Sequence, residues 1–385
     1  MNQVVKFSVS ALAGLLMIAA ATSAAAQDAA PLPSIQITLP PAHARWRDTV
    51  TTVAHAAATM ARDWLGAHPS GTITDVTIDP PAWQGRGAMV VERRIAQQVI
   101  RSWWPATPVD QHADALLDGF AWYLQARAIA RVFDERYLRS GYSAESTRHF
   151  GGTVVWSYPT LRLSQWTAGI QRHTALAEQD AGRFAAVFAT LERWLGEPVL
   201  QGAMMAVAQV PIERLSGSHV VNTISMAAGQ DLTWLFVAAS DADASFDYAV
   251  TDLSSVPAGA VCPAPCFDTS VTVARLGEGH FSGRSSGRVG EFDSGDAMAL
   301  GVMLVNGEHA WARWDGRDDT RTFRFRGPAA ATAAHLDPEC VLALDANFLN
   351  NAIVSPSTTN VPVRKWMARW IVWMQNAALS YGVFA

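Results

Sequence analysis

A change in the spacing of apolar residues near Tyr248 limits what this chain can fold into more than any other feature. Upstream, apolar side chains recur every three or four residues, which is the period of an amphipathic helix. Downstream, short runs alternate apolar and polar side chains between Gly and Asp turns, as half-buried strands do. The sequence therefore predicts an α+β fold, with a mainly helical part followed by an all-β sandwich.

The predicted helices lie between residues 43 and 228, and one strand interrupts them. That strand, at residues 72–78, alternates Thr and Asp with Ile and Val and ends before Pro80-Pro81. Residues 142–167 are rich in Gly, Ser and aromatic residues, which predicts an irregular covering segment. The predicted helices cover residues 43–67, 91–104, 110–133, 180–195, 198–210 and 218–228, and the predicted strands of the β part cover residues 248–251, 269–274, 297–305, 310–314 and 320–325.

The first residues have the organisation of a secretory signal peptide. Lys6 precedes an uncharged apolar run, and Ala24-x-Ala26 follows as a small-residue cleavage site. The run is shorter than the roughly 20 residues that span a bilayer, which favours a cleaved signal over an uncleaved anchor. We therefore expect a periplasmic or secreted protein. The predicted organisation is a signal peptide at residues 1–26, a linker at 27–42, a helical domain at 43–245, a β-sandwich domain at 246–350 and a tail with a Trp-rich amphipathic helix at 351–385.

Charge and cysteine content narrow the function classes. The formal net charge is −5, and no basic run or patch stands out, so binding to nucleic acid through its phosphates has no support. Because an exported protein can form disulfides, we predict one between the two cysteines of Cys262-Pro-Ala-Pro-Cys266, which would close a short loop. The third cysteine, Cys340, then has no predicted partner. The alternative is a metal site built on the Cys pair, but no second pair of Cys or His stands at ligand spacing.

The tail carries Trp366, Trp370 and Trp373 at a spacing that places them on one face of a helix, next to Arg and Lys. Trp beside basic residues suits the headgroup layer of a membrane, so one interpretation is a peripheral membrane contact. The other is a helix that docks on the protein's own surface.

A family resemblance becomes visible in the second predicted helix, in the segment Ile95-Ala96-Gln97-Gln98-Val99-Ile100-Arg101-Ser102-Trp103-Trp104-Pro105. It resembles the zinc-binding helix of M1 aminopeptidases of the thermolysin-like gluzincin group, which in bacteria reads approximately V-A-H-E-x-A-H-Q-W-W. There two His bind zinc and the Glu acts as general base. The matching positions here are Gln97, Gln98 and Arg101, so all three groups have changed. A register shifted by four residues places Arg93, Arg94 and Gln97 at these positions, and it lacks zinc ligands as well.

Two further positions match the family's site. In Leu117-Asp118-Gly119-Phe120-Ala121, Asp118 stands where the family has the Glu that is its third zinc ligand, and it is the only metal ligand that the resemblance leaves. Gln179 stands where the family has the Tyr that stabilises the oxyanion. Because opposite charges stand at two former ligand positions, we predict that Arg101 pairs with Asp118 and replaces the charge of the metal.

The resemblance runs from about residue 43 to residue 351 through several modest motifs in the family's order, and it implies a thermolysin-like fold. It departs from the family in lacking room for the large N-terminal β domain and in keeping only Gly87-Ala88-Met89 of the G-A-M-E-N motif. No two of the ten histidines lie within five residues of each other, so a helical His pair is absent.

We therefore expect a catalytically inactive aminopeptidase-like protein that binds a peptide or protein in the former cleft and needs no cofactor. Two alternatives stay open, an active zinc aminopeptidase with an atypical site and a structural envelope-associated module.

Overall fold

The structure is a computed structural model. It describes residues 31–41, 44, 47–77, 90–108, 110–138, 180–241, 244–259, 266–281, 298–339, 341–348 and 350–355. Among the predicted features, the signal peptide, Gln179, Cys262 and the Trp-rich tail lie outside these residues.

Helices dominate the described residues up to Ser240. They are α1 (Arg47–Leu65), α2 (Val90–Arg101), α3 (Gln111–Leu138), α4 (Asp180–Leu195), α5 (Glu197–Ala208), α6 (Gly217–Ala228) and α7 (Thr233–Ser240). The six predicted helices are confirmed, five of them with shifted ends, whereas α7 was not predicted. Its sequence, TWLFVAAS, is short and almost wholly apolar, so it lacks the periodic polar face by which a helix is recognised.

The end of α2 differs from the prediction because the helix stops at Arg101, three residues before Trp104. The Trp103 and Trp104 amides instead donate to the carbonyls three residues back, at 3.2 and 3.0 Å. Pro105 disfavours a helical conformation for the residue before it, which ends the helix. Both Trp side chains are buried, so this turn anchors the end of α2 in the core.

The helices pack around the middle of α3. Phe120 and Tyr123 are fully buried there and place their ring centroids 5.8 and 5.6 Å from the ring of Trp64 on α1. Phe188 of α4 meets Phe120 edge to face at 5.0 Å. Such aromatic contacts add about 0.5–1.5 kcal/mol each beyond the area that they bury. This cluster makes α3 the central helix of the helical part.

Two parallel strands lie beside the helices, β1 (Ser34–Thr38) and β2 (Thr72–Thr77). The strand predicted at residues 72–78 is confirmed. The prediction of a linker at residues 27–42 is wrong over Ser34–Thr38, which pairs with β2 along its length. The alternation in Ser-Ile-Gln-Ile-Thr is that of a half-buried strand, but the prolines on both sides concealed it.

The second part of the chain forms two antiparallel sheets. Their strands are β3 (Tyr248–Pro257), β4 (Phe267–Arg275), β5 (Met298–Leu304), β6 (His309–Trp314), β7 (Thr320–Gly327), β8 (Ala331–Leu336) and β9 (Ala352–Val354), in the orders β3-β4-β7 and β6-β5-β8-β9. The predicted strands are confirmed, whereas β8 and β9 were not predicted. The β8 sequence, ATAAHL, is too rich in Ala to show clear alternation. The predicted α+β class agrees with this mixture of helices and sheets.

Buried polar and aromatic contacts join the helices to the sheets. The Thr190 hydroxyl on α4 accepts the Ala343 amide at 3.0 Å. Phe281, after β4, places its ring 5.0 Å from Trp194 of α4 and 5.6 Å from Trp234 of α7. One hydrophobic cluster includes buried side chains from helices and sheets alike. The predicted domain boundary at residue 245 stays a prediction.

Tyr248 begins β3 and is fully buried, with its ring edge to face against Trp314 at 5.5 Å. Its hydroxyl accepts the Phe281 amide at 2.8 Å, and burial raises the pKa of the phenol to about 12. At the opposite end of β3, next to the start of β4, Cys266 forms a disulfide whose partner cysteine lies outside the described residues. No helix in the described ranges is long and apolar enough to cross a bilayer.

Candidate binding site between β2 and α2

A pocket of about 590 Å³ lies where the start of β2 faces the outer side of α2. Its lining combines amides, hydroxyls and guanidinium groups with few apolar groups. The residues are His68, Ser70, Thr72, Ile73, Arg94, Gln97, Gln98, Arg101, Ser102, Trp104 and Pro105. Three of the predicted site residues, Gln97, Gln98 and Arg101, therefore line one pocket.

The pattern of α2 explains why these polar side chains face the pocket. Four apolar residues of α2 are fully buried against α1 and α3: Ile95, Ala96, Val99 and Ile100. Gln97, Gln98 and Arg101 alternate with them and stay half-buried on the opposite side. Residues four apart project from the same face of a helix, so Gln97 and Arg101 are neighbours on the pocket wall. Arg94 lies one turn earlier and is exposed at the rim.

Arg101 is held by two carboxylates of α3. Its Nε donates to Asp118 Oδ1 at 2.8 Å, and its Nη2 pairs with Asp114 Oδ1. A third bond runs from Nη1 to the Trp104 carbonyl at 3.2 Å. The predicted pairing of Arg101 with Asp118 is confirmed. These contacts fix the plane of the guanidinium, since its donors form a rigid fork.

Asp114 was not predicted as a partner of Arg101, although its spacing from Asp118 indicates that role. It precedes Asp118 by four residues on α3, so both carboxylates lie on one helix face and reach the same guanidinium. The cluster holds two carboxylates and one guanidinium, so it carries one excess negative charge. Its side chains are partly exposed, at 20% for Arg101, 32% for Asp114 and 41% for Asp118, so water screens the excess charge.

His68 joins the two walls of the pocket. Its Nδ1 accepts the Ser70 backbone amide at 3.2 Å, so this nitrogen carries a lone pair. Its Nε2 then bears the hydrogen and donates to Ser102 Oγ at 3.1 Å, while Ser102 donates to the Val99 carbonyl at 2.6 Å. The side chain is 8% exposed, and burial lowers the pKa of the imidazole, which keeps it neutral.

This direction of hydrogen bonding excludes a Ser–His nucleophile from the arrangement. A general base must hold a lone pair toward the hydroxyl that it deprotonates. His68 instead presents its N–H to Ser102, and the Ser102 hydrogen is directed at a carbonyl. The Ser70 hydroxyl likewise donates to the Thr72 carbonyl at 2.7 Å. The network therefore fixes the loop before β2 to the end of α2.

Of the other two predicted site residues, Asp118 and Gln179, the structure describes only Asp118. Asp118 binds Arg101 but is not among the residues that line the pocket. Gln179, the predicted position of the lost oxyanion donor, lies outside the described residues. Within the described ranges, no three side chains among His, Cys, Asp and Glu are grouped closely enough to hold a metal ion.

Comparisons with known proteins give likenesses among solved structures only. No protein-family model matches the chain, and no curated protein matches it. Among solved structures, aminopeptidase A of Legionella pneumophila in complex with aspartic acid is similar, with a TM-score of 0.45 and 12% sequence identity. The alignment covers 81% of this chain and 36% of that one, so this chain spans little more than a third of the aminopeptidase.

Proposed function

We propose that this chain is an exported aminopeptidase-like protein that binds a peptide or protein segment in the pocket between β2 and α2 without hydrolysing it. The observation that carries the proposal is the position of Arg101. A guanidinium, fixed by Asp114 and Asp118, lies on the pocket wall, at the sequence position that matches a zinc-binding His of the family that the chain resembles.

The donor set does not fit zinc. Structural and catalytic zinc sites use thiolate, imidazole and carboxylate ligands. The corresponding side chains here are the amides of Gln97 and Gln98 and the cation of Arg101. Asp118 is a suitable ligand type, but its Oδ1 already binds Arg101 Nε at 2.8 Å. A dication at that carboxylate would lie against a guanidinium and would be repelled by it.

The pocket lining suits the backbone of a peptide. A peptide presents N–H donors and C=O acceptors in alternation. The amide of Gln97 offers both a donor and an acceptor, and so does the hydroxyl of Thr72. The volume of about 590 Å³ falls within the range of about 300–1,000 Å³ that is usual for ligand sites.

A binding and turnover experiment tests the proposal. Fluorescence anisotropy of a labelled random tetrapeptide mixture on the purified mature chain is expected to show saturable binding, and mass spectrometry is expected to recover the peptides intact. Gln97→Ala removes one donor and one acceptor, so we expect a roughly fivefold to tenfold weaker Kd from the loss of about 1 kcal/mol. Gln230, a glutamine two residues after α6, is half-buried like Gln97 but does not line the pocket, so Gln230→Ala is the matched control and leaves the Kd unchanged.

Three results would overturn the proposal. One is the absence of saturable binding, and another is an equal Kd for the Gln97→Ala and Gln230→Ala chains. The third is cleavage of the peptides that a chelator abolishes, which would instead support the atypical zinc aminopeptidase.

We further propose that the signal peptide exports the chain and that the tail contacts a membrane only weakly. Cell fractionation tests the first point, and a cytoplasmic full-length chain would contradict it. Liposome flotation that compares the full chain with a chain ending at Ser357 tests the contribution of Trp366, Trp370 and Trp373. Strong flotation that requires the tail would favour the envelope-associated module instead.

A further inference from the structure

A second candidate site lies at the open edge between the two sheets. β6 is the edge strand of one described sheet and β7 that of the other. Between them lies a pocket of about 430 Å³. Its floor is apolar, formed by Leu304, Ala310, Phe325, Pro328 and Ala329, and its polar lining residues include Thr269, Glu308, His309 and Arg326. An apolar floor with a few polar groups is the usual composition of a small-molecule site.

His309 connects this pocket to an aromatic surface on the outer face of the four-stranded sheet. His309 and Trp311 are two residues apart on β6, so both side chains project from the same face. Their rings are nearly parallel, at 19°, with centroids 6.0 Å apart. The two stacked rings form an aromatic surface at the rim of the pocket, which His309 lines.

Gly301 holds the Trp311 ring flat on the sheet. It is the register partner of Trp311 on β5, and a Cβ at position 301 would lie 2.9 Å from Trp311 Cζ3. The indole therefore covers the space that any other residue would fill with its side chain. The six-membered ring of the indole contacts the strand at this point, and Trp311 remains 42% exposed. A large exposed ring that the backbone pre-positions loses little entropy when a ligand stacks on it.

The charged groups beside the pocket have no excess of positive charge. Arg326 pairs with Asp268 through two bonds, Nε to Oδ1 at 2.6 Å and Nη2 to Oδ2 at 3.1 Å. The Glu308 carboxylate accepts the Asn306 side-chain amide at 2.9 Å. A site without excess positive charge has little attraction for a phosphate or another strong anion. The carboxylate and guanidinium remain able to accept from and donate to hydroxyl groups.

We propose that the pocket between β6 and β7, with the Trp311–His309 surface beside it, binds a neutral oligosaccharide. One face of a pyranose ring carries weakly positive C–H groups, which complement the negative face of an indole. The hydroxyls at the rim of the sugar can both donate a hydrogen bond to the Glu308 carboxylate and accept one from the Arg326 guanidinium. One sugar unit stacks on Trp311, and the next enters the pocket past His309.

Isothermal titration calorimetry on the full mature chain tests this proposal with cellotriose and tri-N-acetylchitotriose as probes. We expect at least one trisaccharide to bind with a Kd of about 1 mM or lower. Trp311→Ala removes the stacking surface and is expected to weaken that Kd at least about tenfold. Met303→Ala is the matched control, because Met303 is exposed to the same extent on the same sheet face but does not line the pocket. It is expected to leave the Kd within about twofold.

A second variant keeps the test decisive if Trp311→Ala unfolds the sheet. Gly301→Ala retains the indole but displaces its ring from the strand, so it is also expected to weaken trisaccharide binding. Gln97→Ala leaves it unchanged, which separates this site from the pocket between β2 and α2. Failure of both trisaccharides to bind would overturn the proposal, as would a Kd unaffected by Trp311→Ala. Binding of a Gly-Phe-Gly tripeptide with the same dependence on Trp311 would also overturn it.

Discussion

Two arginines tie α3 to its neighbouring helices, Arg101 from α2 and Arg127 from α3 itself, and each pairs with two carboxylates. Arg101 joins the start of α3 to the end of α2 through Asp114 and Asp118. Arg127, farther along α3, joins it to α4 through Glu192 and to α5 through Glu197, at 2.9 Å for the latter. The exposed fractions of the two arginines are close, at 20% and 23%. The charge pattern alone therefore does not distinguish a functional arginine from a structural one.

The surroundings of the two arginines do distinguish them. Arg127 lies over the rings of Trp64 and Tyr123, with its Cζ 5.3 and 5.8 Å from their centroids. It also donates to the Tyr123 hydroxyl at 3.3 Å, and burial raises the pKa of that phenol. Arg101 has no such aromatic support among the described residues, and it lines a pocket instead. We infer that Arg127 stabilises the helical core and that Arg101 shapes a binding surface.

The largest effect is expected at Arg127. Arg127→Ala removes two ion pairs and two cation–π contacts and leaves Glu192 without its partner, so we expect a loss of about 2–3 kcal/mol in the free energy of unfolding. Urea denaturation followed by circular dichroism measures it. Arg131→Ala serves as control, because that side chain is 59% exposed and has one long ion pair at 3.8 Å. The control should lose less than about 0.5 kcal/mol, and an equal loss in both variants would contradict the role given to Arg127.

A smaller loss of stability is expected at Arg101, together with a change in binding. Arg101→Ala leaves two carboxylates side by side, and we expect a loss of about 1–2 kcal/mol by the same urea denaturation. Arg101→Lys keeps the charge but cannot bond both carboxylates and the Trp104 carbonyl as a planar fork does, so it should recover only part of the stability. Peptide affinity should fall in the Ala variant, and full retention of both properties would remove the distinction between the two arginines.

Asp118→Asn sharpens the same comparison. The substitution keeps the shape of the side chain but removes the charge that Arg101 Nε contacts. Because Asp118 is 41% exposed and Asp114 remains, we expect a loss of only about 0.5–1 kcal/mol. Glu197→Gln, at 46% exposure, is the matched change beside Arg127 and should cost a similar amount. A loss of several kcal/mol for Asp118→Asn would mean that this carboxylate stabilises the fold far more than its exposure suggests.

The smallest effect is a pH dependence that comes from His68. Burial lowers the pKa of this imidazole in the folded chain, whereas the unfolded chain titrates near about 6.5. As the pH falls through that value, the His68 imidazole takes up a proton in the unfolded chain before it does so in the folded chain, so the free energy of unfolding decreases. The stabilising contribution of the neutral imidazole is therefore fully present only above the unfolded-state pKa. His68→Gln should therefore flatten the decline of the urea midpoint between about pH 7 and pH 5, and the exposed His219→Gln should not. Equal declines in the wild-type and His68→Gln chains would contradict the neutral His68.

The sequence allowed most of the helical part to be predicted because periodicity is a local property. The spacing of Ile95, Val99 and Ile100 predicted the buried face of α2. The opposite charges of Arg101 and Asp118 predicted that these two side chains pair. The contact of His68 with Ser102 could not be predicted, because it joins residues 34 apart and depends on how β2 packs against α2.

The β part shows the same limit more clearly. Strands with regular alternation, such as β4, were predicted, whereas Ala-rich β8 and the short β9 were not. The two sides of the pocket between β6 and β7 meet only through the sheet topology, and no local pattern indicates that Phe325 and Ala310 line one cavity. The position of Trp311 over Gly301 likewise depends on the register of β5 and β6.

Metal analysis combined with turnover tests the central claim most directly. The purified mature chain would be equilibrated with zinc, passed through a desalting column and measured by inductively coupled plasma mass spectrometry, and in parallel assayed with a fluorogenic aminopeptidase substrate. With Arg101 bound to Asp114 and Asp118, we predict far less than one zinc per chain and no chelator-sensitive turnover. One zinc per chain with turnover that a chelator abolishes would contradict the account.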